Sequence, residues 1–200
     1  MRWDNLFDDL EGQLEQELEA EDVDLRAEEE RLRLGRLSLR ERILAVHEAQ
    51  SRHSPYWIQV QLADGLIARL RPTTIGRDWF SADVIDGESV SGPCVVPFAA
   101  ITAVFFTRPQ LSDSLAPQRP SESSKGLSSR LGLGFVLRDL CRRRSALELR
   151  LVGLQVFGTI DRVGRDHFDL AVHERGAARR ASAVSQYRVV PFDQLLFVRA

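Results

Sequence analysis

The chain has 200 residues, 44% hydrophobic and 28% charged, with a formal net charge of −2, an ordinary balance for a globular protein. No apolar run approaches the roughly 18–20 residues of a membrane-spanning helix, and Met1-Arg2-Trp3-Asp4 lacks the basic-then-apolar build of a signal peptide. A cytoplasmic protein with no membrane partner is therefore expected.

The charge is unevenly spread. Residues 1–35 hold 13 Asp/Glu and 4 Arg, a local balance of −9 that leaves +7 on the remainder. Within this acidic stretch Trp3, Leu6, Phe7, Leu10, Leu14 and Leu18 recur at three- and four-residue spacing, one stripe of a helix. Leu18, Leu25, Leu32 and Leu39 continue it at intervals of seven. Asp4 is placed to cap the start, and a break or bend is expected near Gly35. The stripe has two ways to be covered: against the chain's own barrels, or in a coiled-coil seam with another copy or another protein. Ser38-Leu39-Arg40-Glu41 reads as a capping box that opens a second helix to about Gln50, and Pro55 closes that segment.

From Tyr56 the apolar period changes to two. Strands are expected at Trp57–Leu62, Leu66–Thr74, Trp79–Asp86, Cys94–Val96 and Ile101–Thr107, with a polar loop over 87–93. The stretch then repeats. Ile75-Gly76-Arg77-Asp78-Trp79-Phe80 returns as Val163-Gly164-Arg165-Asp166-His167-Phe168, offset by 88, and Val95-Val96-Pro97-Phe98 returns as Val189-Val190-Pro191-Phe192, offset by 94. The second copy thus carries six extra residues, assigned to the loop from Glu174 to Ser185. Its strands are expected at Leu147–Leu151, Gln155–Val163, His167–His173, Gln186–Val190 and Leu195–Val198. Gly76 and Gly164 are expected where a turn needs positive φ or a sharp bend. Between the copies, 108–126 is rich in Ser, Pro and Gln and reads as a flexible linker. A basic helix with one apolar face follows over 127–144.

The expected fold is α+β, mainly β. An acidic N-terminal helical arm (1–50) precedes two tandem five-stranded antiparallel small barrels (56–107 and 146–200), each preceded by a helix. Closing five bent strands on themselves is an economical way to hide sheet edges. This unit resembles the Sm-like and SH3-like small barrels. The third strand of the Sm family opens with Asp, any residue, an apolar residue and Asn; here the matching positions are Asp78-Trp79-Phe80-Ser81 and Asp166-His167-Phe168-Asp169. Where that family has Arg-Gly before its last strand, this chain has Pro97-Phe98 and Pro191-Phe192. The resemblance implies the fold, while the Asn and Arg of the family's RNA pocket are absent from both copies. The Val-Pro-x-x-x-Ile/Leu ending also resembles PRC-barrel domains, which implies protein docking. From Arg2-Trp3-Asp4 onward the chain is similar to a family of actinobacterial proteins with tandem small barrels.

Candidate chemistry is sparse. Cys94 and Cys141 have no Cys-x-x-Cys spacing, and His47, His53, His167 and His173 read as surface or rim residues. No Gly-x-Ser-x-Gly elbow is present, and Leu131-Gly132-Leu133-Gly134 lacks the ending of a phosphate loop. No enzyme, cofactor or metal site is therefore expected. Arg77-Asp78 and Arg165-Asp166 read as turns with a local Asp-to-backbone bond, or as a shared barrel-rim contact site. Lys125, Arg130, Arg138, Arg142, Arg143, Arg144, Arg150, Arg179 and Arg180 form the clearest positive set. They either face the acidic arm, contact an acidic protein partner, or neutralise nucleic-acid phosphates. The leading expectation is a non-enzymatic adaptor that binds protein, or itself, through residues 1–35 and the barrel surfaces. The alternative is an RNA-binding protein that uses the arginine-rich helix before the second repeat.

Overall fold

A computed structural model of the chain describes residues 3–50, 56–87, 89–117, 126–175 and 180–200. It divides after Ser38 into two units, Met1–Ser38 and Leu39–Ala200. The first is one helix, α1 (Trp3–Arg36), which ends one residue past Gly35, where the break is expected. Acidic and basic residues three and four apart support it: Arg26 meets Asp22 at 3.1 Å and Arg33 meets Glu30 at 2.6 Å.

The arm therefore ends earlier than the expected residue 50. Helix α2 (Leu39–Gln50) belongs to the second unit, where Ile43, Leu44, Ala45 and Val46 are buried. That burial is why α2 stays with the sheet.

The second unit is mainly β. Strands β1 (Ile58–Leu62), β2 (Ile67–Ile75), β3 (Trp79–Asp86), β4 (Ser89–Pro97) and β5 (Ile101–Phe105) form the first repeat. Strands β6 (Leu147–Leu151), β7 (Leu154–Val163), β8 (His167–Val172), β9 (Gln186–Pro191) and β10 (Leu195–Arg199) form the second. All ten belong to one antiparallel sheet in the order β5-β1-β2-β3-β4-β10-β6-β7-β8-β9. Among the described residues neither repeat closes on itself through strand pairing. The outer edge of β4 is taken instead by β10, with Val95 opposite Val198 and Cys94 opposite Arg199. Each repeat shows the same internal order, last strand beside first, and the two are joined at the β4–β10 seam.

Two apolar cores lie along this sheet. One gathers α2 and β1–β5 residues around Phe80, Ile58 and Leu70; the other gathers β6–β10 residues and a later helix around Phe168, Leu149 and Ile160. The cores exchange residues. Leu196 of β10 is fully buried in the first, and Trp79 of β3 is buried in the second.

The connection between repeats departs from a linker. Arg108–Leu115 forms helix α3, opened by a capping box between Thr107 and Gln110. Two of its polar residues are buried and hydrogen-bonded: Gln110 donates to the Trp57 carbonyl at 2.9 Å, and Ser114 Oγ accepts from Arg42 at 3.0 Å. Composition alone cannot tell such residues from solvated ones. The expected helix over 127–144 is a 3-10 turn, Leu127–Arg130, followed by α4 (Leu133–Arg142). The expected loop over 87–93 is mostly strand, since β4 already begins at Ser89.

Candidate interaction surfaces

The duplicated Gly-Arg-Asp turn has two environments. In both copies an aromatic ring three residues on lies flat over the glycine. A Cβ at Gly76 would stand 2.4 Å from the Trp79 ring, and one at Gly164 2.6 Å from the His167 ring. Neither glycine has positive φ, so the residue is required for space and not for backbone conformation.

In the first repeat this turn docks onto the second. The Arg77 amide donates to the Leu131 carbonyl at 3.1 Å, and Trp79 Nε1 donates to the same carbonyl at 2.9 Å. Asp78 Oδ1 accepts from the Leu133 amide at 2.7 Å. That amide opens α4, where the first amides have no partner within the helix and a carboxylate is favoured. A Cβ on Gly132 would stand 3.3 Å from Asp78 Oδ2 and would also meet the mobile end of Arg77, so the docked carboxylate sits close against this glycine. Asp78 does bond to backbone, as a turn Asp is expected to, but to backbone 55 residues away.

A second tie crosses the same seam. Arg150 Nε donates to Asp64 Oδ2 at 2.7 Å, and the Asp64 side chain is only 6% exposed. Burial opposes ionisation of this carboxyl, but the Leu66 amide and Arg150 together outweigh it and hold its pKa below the ordinary value.

In the second repeat the same turn is held by residues of its own repeat, the Phe192 amide donating to the Asp166 carbonyl at 2.8 Å and Arg138 to the Gly164 carbonyl at 3.4 Å. Arg165 and Asp166 are exposed. Asp166 Oδ1 accepts from His167 Nδ1 at 2.8 Å, which lowers the Asp166 pKa. Nearby on β9, Tyr187 and Val189 are 64% and 69% exposed. Val189 is the counterpart of Val95, which packs against the second core.

The arginines are dispersed more than their sequence suggests. Arg142 and Arg143 share Asp139 on their own helix, at 2.5 and 2.7 Å, and Arg144 meets Asp161 at 3.1 Å. These partners are local acids of the second repeat. Arg150 lies at the seam, Arg138 reaches the Gly164 carbonyl at 3.4 Å, and Arg130 and Arg180 are exposed. Lys125 and Arg179 lie outside the described residues.

Of the histidines, His173 is buried and not at a rim, hydrogen-bonded to Thr159 Oγ1 at 2.9 Å. His47 lies 2.6 Å from the Tyr56 hydroxyl, and burial lowers its pKa. His53 lies outside the described residues. Burial pushes the Cys94 thiol up to about 11, so at neutral pH it is a thiol and a poor nucleophile. Among the described residues no group of His, Cys, Asp or Glu is arranged to hold a metal, and no helix is long and apolar enough to cross a membrane.

On α1, Leu18, Leu25 and Leu32 are 55%, 60% and 53% exposed. Their spacing of seven puts them on one side of the helix.

The strongest signal for the docking surface lies in a third piece of the duplication. Arg36-Leu37-Ser38-Leu39 before α2 matches Arg130-Leu131-Gly132-Leu133 before α4, at the same offset of 94 as Val-Val-Pro-Phe. Leu131 and Leu133 are the residues that receive the first repeat's turn. Compared with known proteins, the chain matches no family model, no curated protein and no solved structure.

Proposed function

We propose that the protein is a non-enzymatic adaptor that binds protein partners through its N-terminal helix and the surfaces of its sheet. In this reading the two five-strand repeats are tandem small-barrel units forming a rigid base, and α1 is the partner-binding arm. The observation that carries it is the exposed line of Leu18, Leu25 and Leu32 along a 34-residue helix. Apolar side chains at intervals of seven are the seam that helices use to recognise one another. Acidic neighbours on the same helix would favour a partner helix with basic flanks.

The RNA reading draws less support, because Arg142, Arg143 and Arg144 each have a carboxylate partner already. The test is co-precipitation with the full chain and with a variant carrying Lys at Leu18, Leu25 and Leu32. Partners should be lost with the variant, and recovery of the same set would refute the arm's role. Fluorescence anisotropy with single-stranded RNA serves as the counter-test. Binding that falls steeply with salt and with Arg142, Arg143 and Arg144 changed to Glu would favour RNA.

A further inference from the structure

We propose that a second copy of this chain pairs with the first head to tail, β9 of one copy lying along β5 of the other. The protein contains the template for this contact. Within the chain, the fourth strand of one repeat, β4, pairs with the last strand of the other, β10. Among the described residues the sheet ends on the two unpaired equivalents of those strands, β9 and β5. Carrying the β4–β10 register over by the offset of 94 places Val189 opposite Val104 and Arg188 opposite Phe105.

Both free edges carry the marks of a covered surface. Val95 is packed against the second core, whereas Val189, the same residue at the same position of the repeat, is 69% exposed beside Tyr187 at 64%. A bare apolar edge strand is a template for further pairing, which proteins ordinarily blunt. Along β5 runs an open groove of about 580 Å3, lined by Phe105, Phe106, Leu39, Arg42 and Leu111. Phe105 and Leu111 are 44% and 45% exposed.

The turn supplies a second point of contact. Gly164-Arg165-Asp166-His167 repeats the turn that docks on Arg130-Leu131-x-Leu133, and the receiving sequence is repeated before α2. In a copied interface Asp166 of one chain faces the start of α2 in the next.

The contact between copies lacks one anchor of the internal seam. Leu196, fully buried across the seam, is replaced by Thr102, whose hydroxyl donates to the Gln61 carbonyl at 3.1 Å. Association between copies is therefore weaker than the seam and reversible. Because the interface is heterologous, every added copy leaves one β9 and one β5 edge free until a ring closes.

The test is sedimentation of the full chain over a range of concentrations. The wild-type mass should rise with concentration beyond one copy; a one-copy mass at every concentration overturns the proposal. Val189→Lys and Phe105→Asp should each give one-copy species, and persistence of assembly in either overturns it. An equimolar mixture of the two should form a species of two copies and stop there. Only one sound β9 edge and one sound β5 edge remain in it. Tyr187→Asp, more exposed than Phe105, is a second β9 variant and should behave like Val189→Lys, alone and in the mixture. A mixture that stays at one copy in both pairings overturns the proposal. The result is separable from the arm's function, because Lys at Leu18, Leu25 and Leu32 should leave this assembly unchanged.

Discussion

The two copies of one turn differ in what they meet. Around Gly76 the turn is half of an internal interface; around Gly164 nearly the same sequence is displayed at the surface. The difference lies in position along the sheet, since only the first copy has a second repeat beside its fourth strand. Duplication thus converts one surface into a permanent seam and leaves its twin without a partner repeat in the same chain. Stability should therefore be lopsided between matched residues, which mutation can test pair by pair.

The largest asymmetry is expected at the ring over the glycine. Trp79→Ala removes a side chain buried in the second core and should cost about 3–5 kcal/mol. His167→Ala, at the matching exposed place, should stay within about 0.5 kcal/mol. Urea unfolding of the two variants measures both, and equal losses would break the comparison. Leu196→Ala should cost about 3 kcal/mol in the same measurement, while Thr102→Ala should change little. Asp78→Ala removes the acceptor of the first α4 amide, worth about 1–2 kcal/mol. Asp166→Ala removes only a bond to its neighbour and should be close to neutral.

A smaller loss than that at Asp78 depends on pH. The folded-state pKa of Asp64 lies below its unfolded value. Its contribution is therefore complete above the unfolded carboxylate range, near pH 4, and is lost as pH falls through the folded value. Arg150→Met should lower stability by about 1 kcal/mol at neutral pH, because Arg150 is partly exposed and screened. That deficit should shrink on acidification. An unchanged deficit at low pH would mean that Arg150 acts through packing and not through its charge.

The duplication was legible in the residues, and with it the two sets of five strands. Periodicity of two and the repeated Val-Val-Pro-Phe are local signals, so they survive in the sequence. Pairing across the seam is not local. Val95 and Val189 are the same residue in the same motif, yet one is covered and the other bare. The docking site was half legible: Asp78 reads as a turn residue, but its partner, the Leu133 amide, is a backbone group that no side-chain pattern marks. The matching Arg-Leu-x-Leu stretches were its one available trace. Helix α3 was hidden because a Ser- and Pro-rich composition describes solvated chain and buried caps equally well.

The burial of Leu196 in the first core has a consequence for synthesis on the ribosome. Residues 39–107 emerge well before that side chain exists, so the first core stays unplugged and the β4 edge unpaired in the interval. At 5–20 residues per second the wait for the missing leucine is roughly 5–20 s. The first repeat's core is therefore completed by a residue of the second repeat's last strand, and the order of translation is not the order in which the two cores become whole.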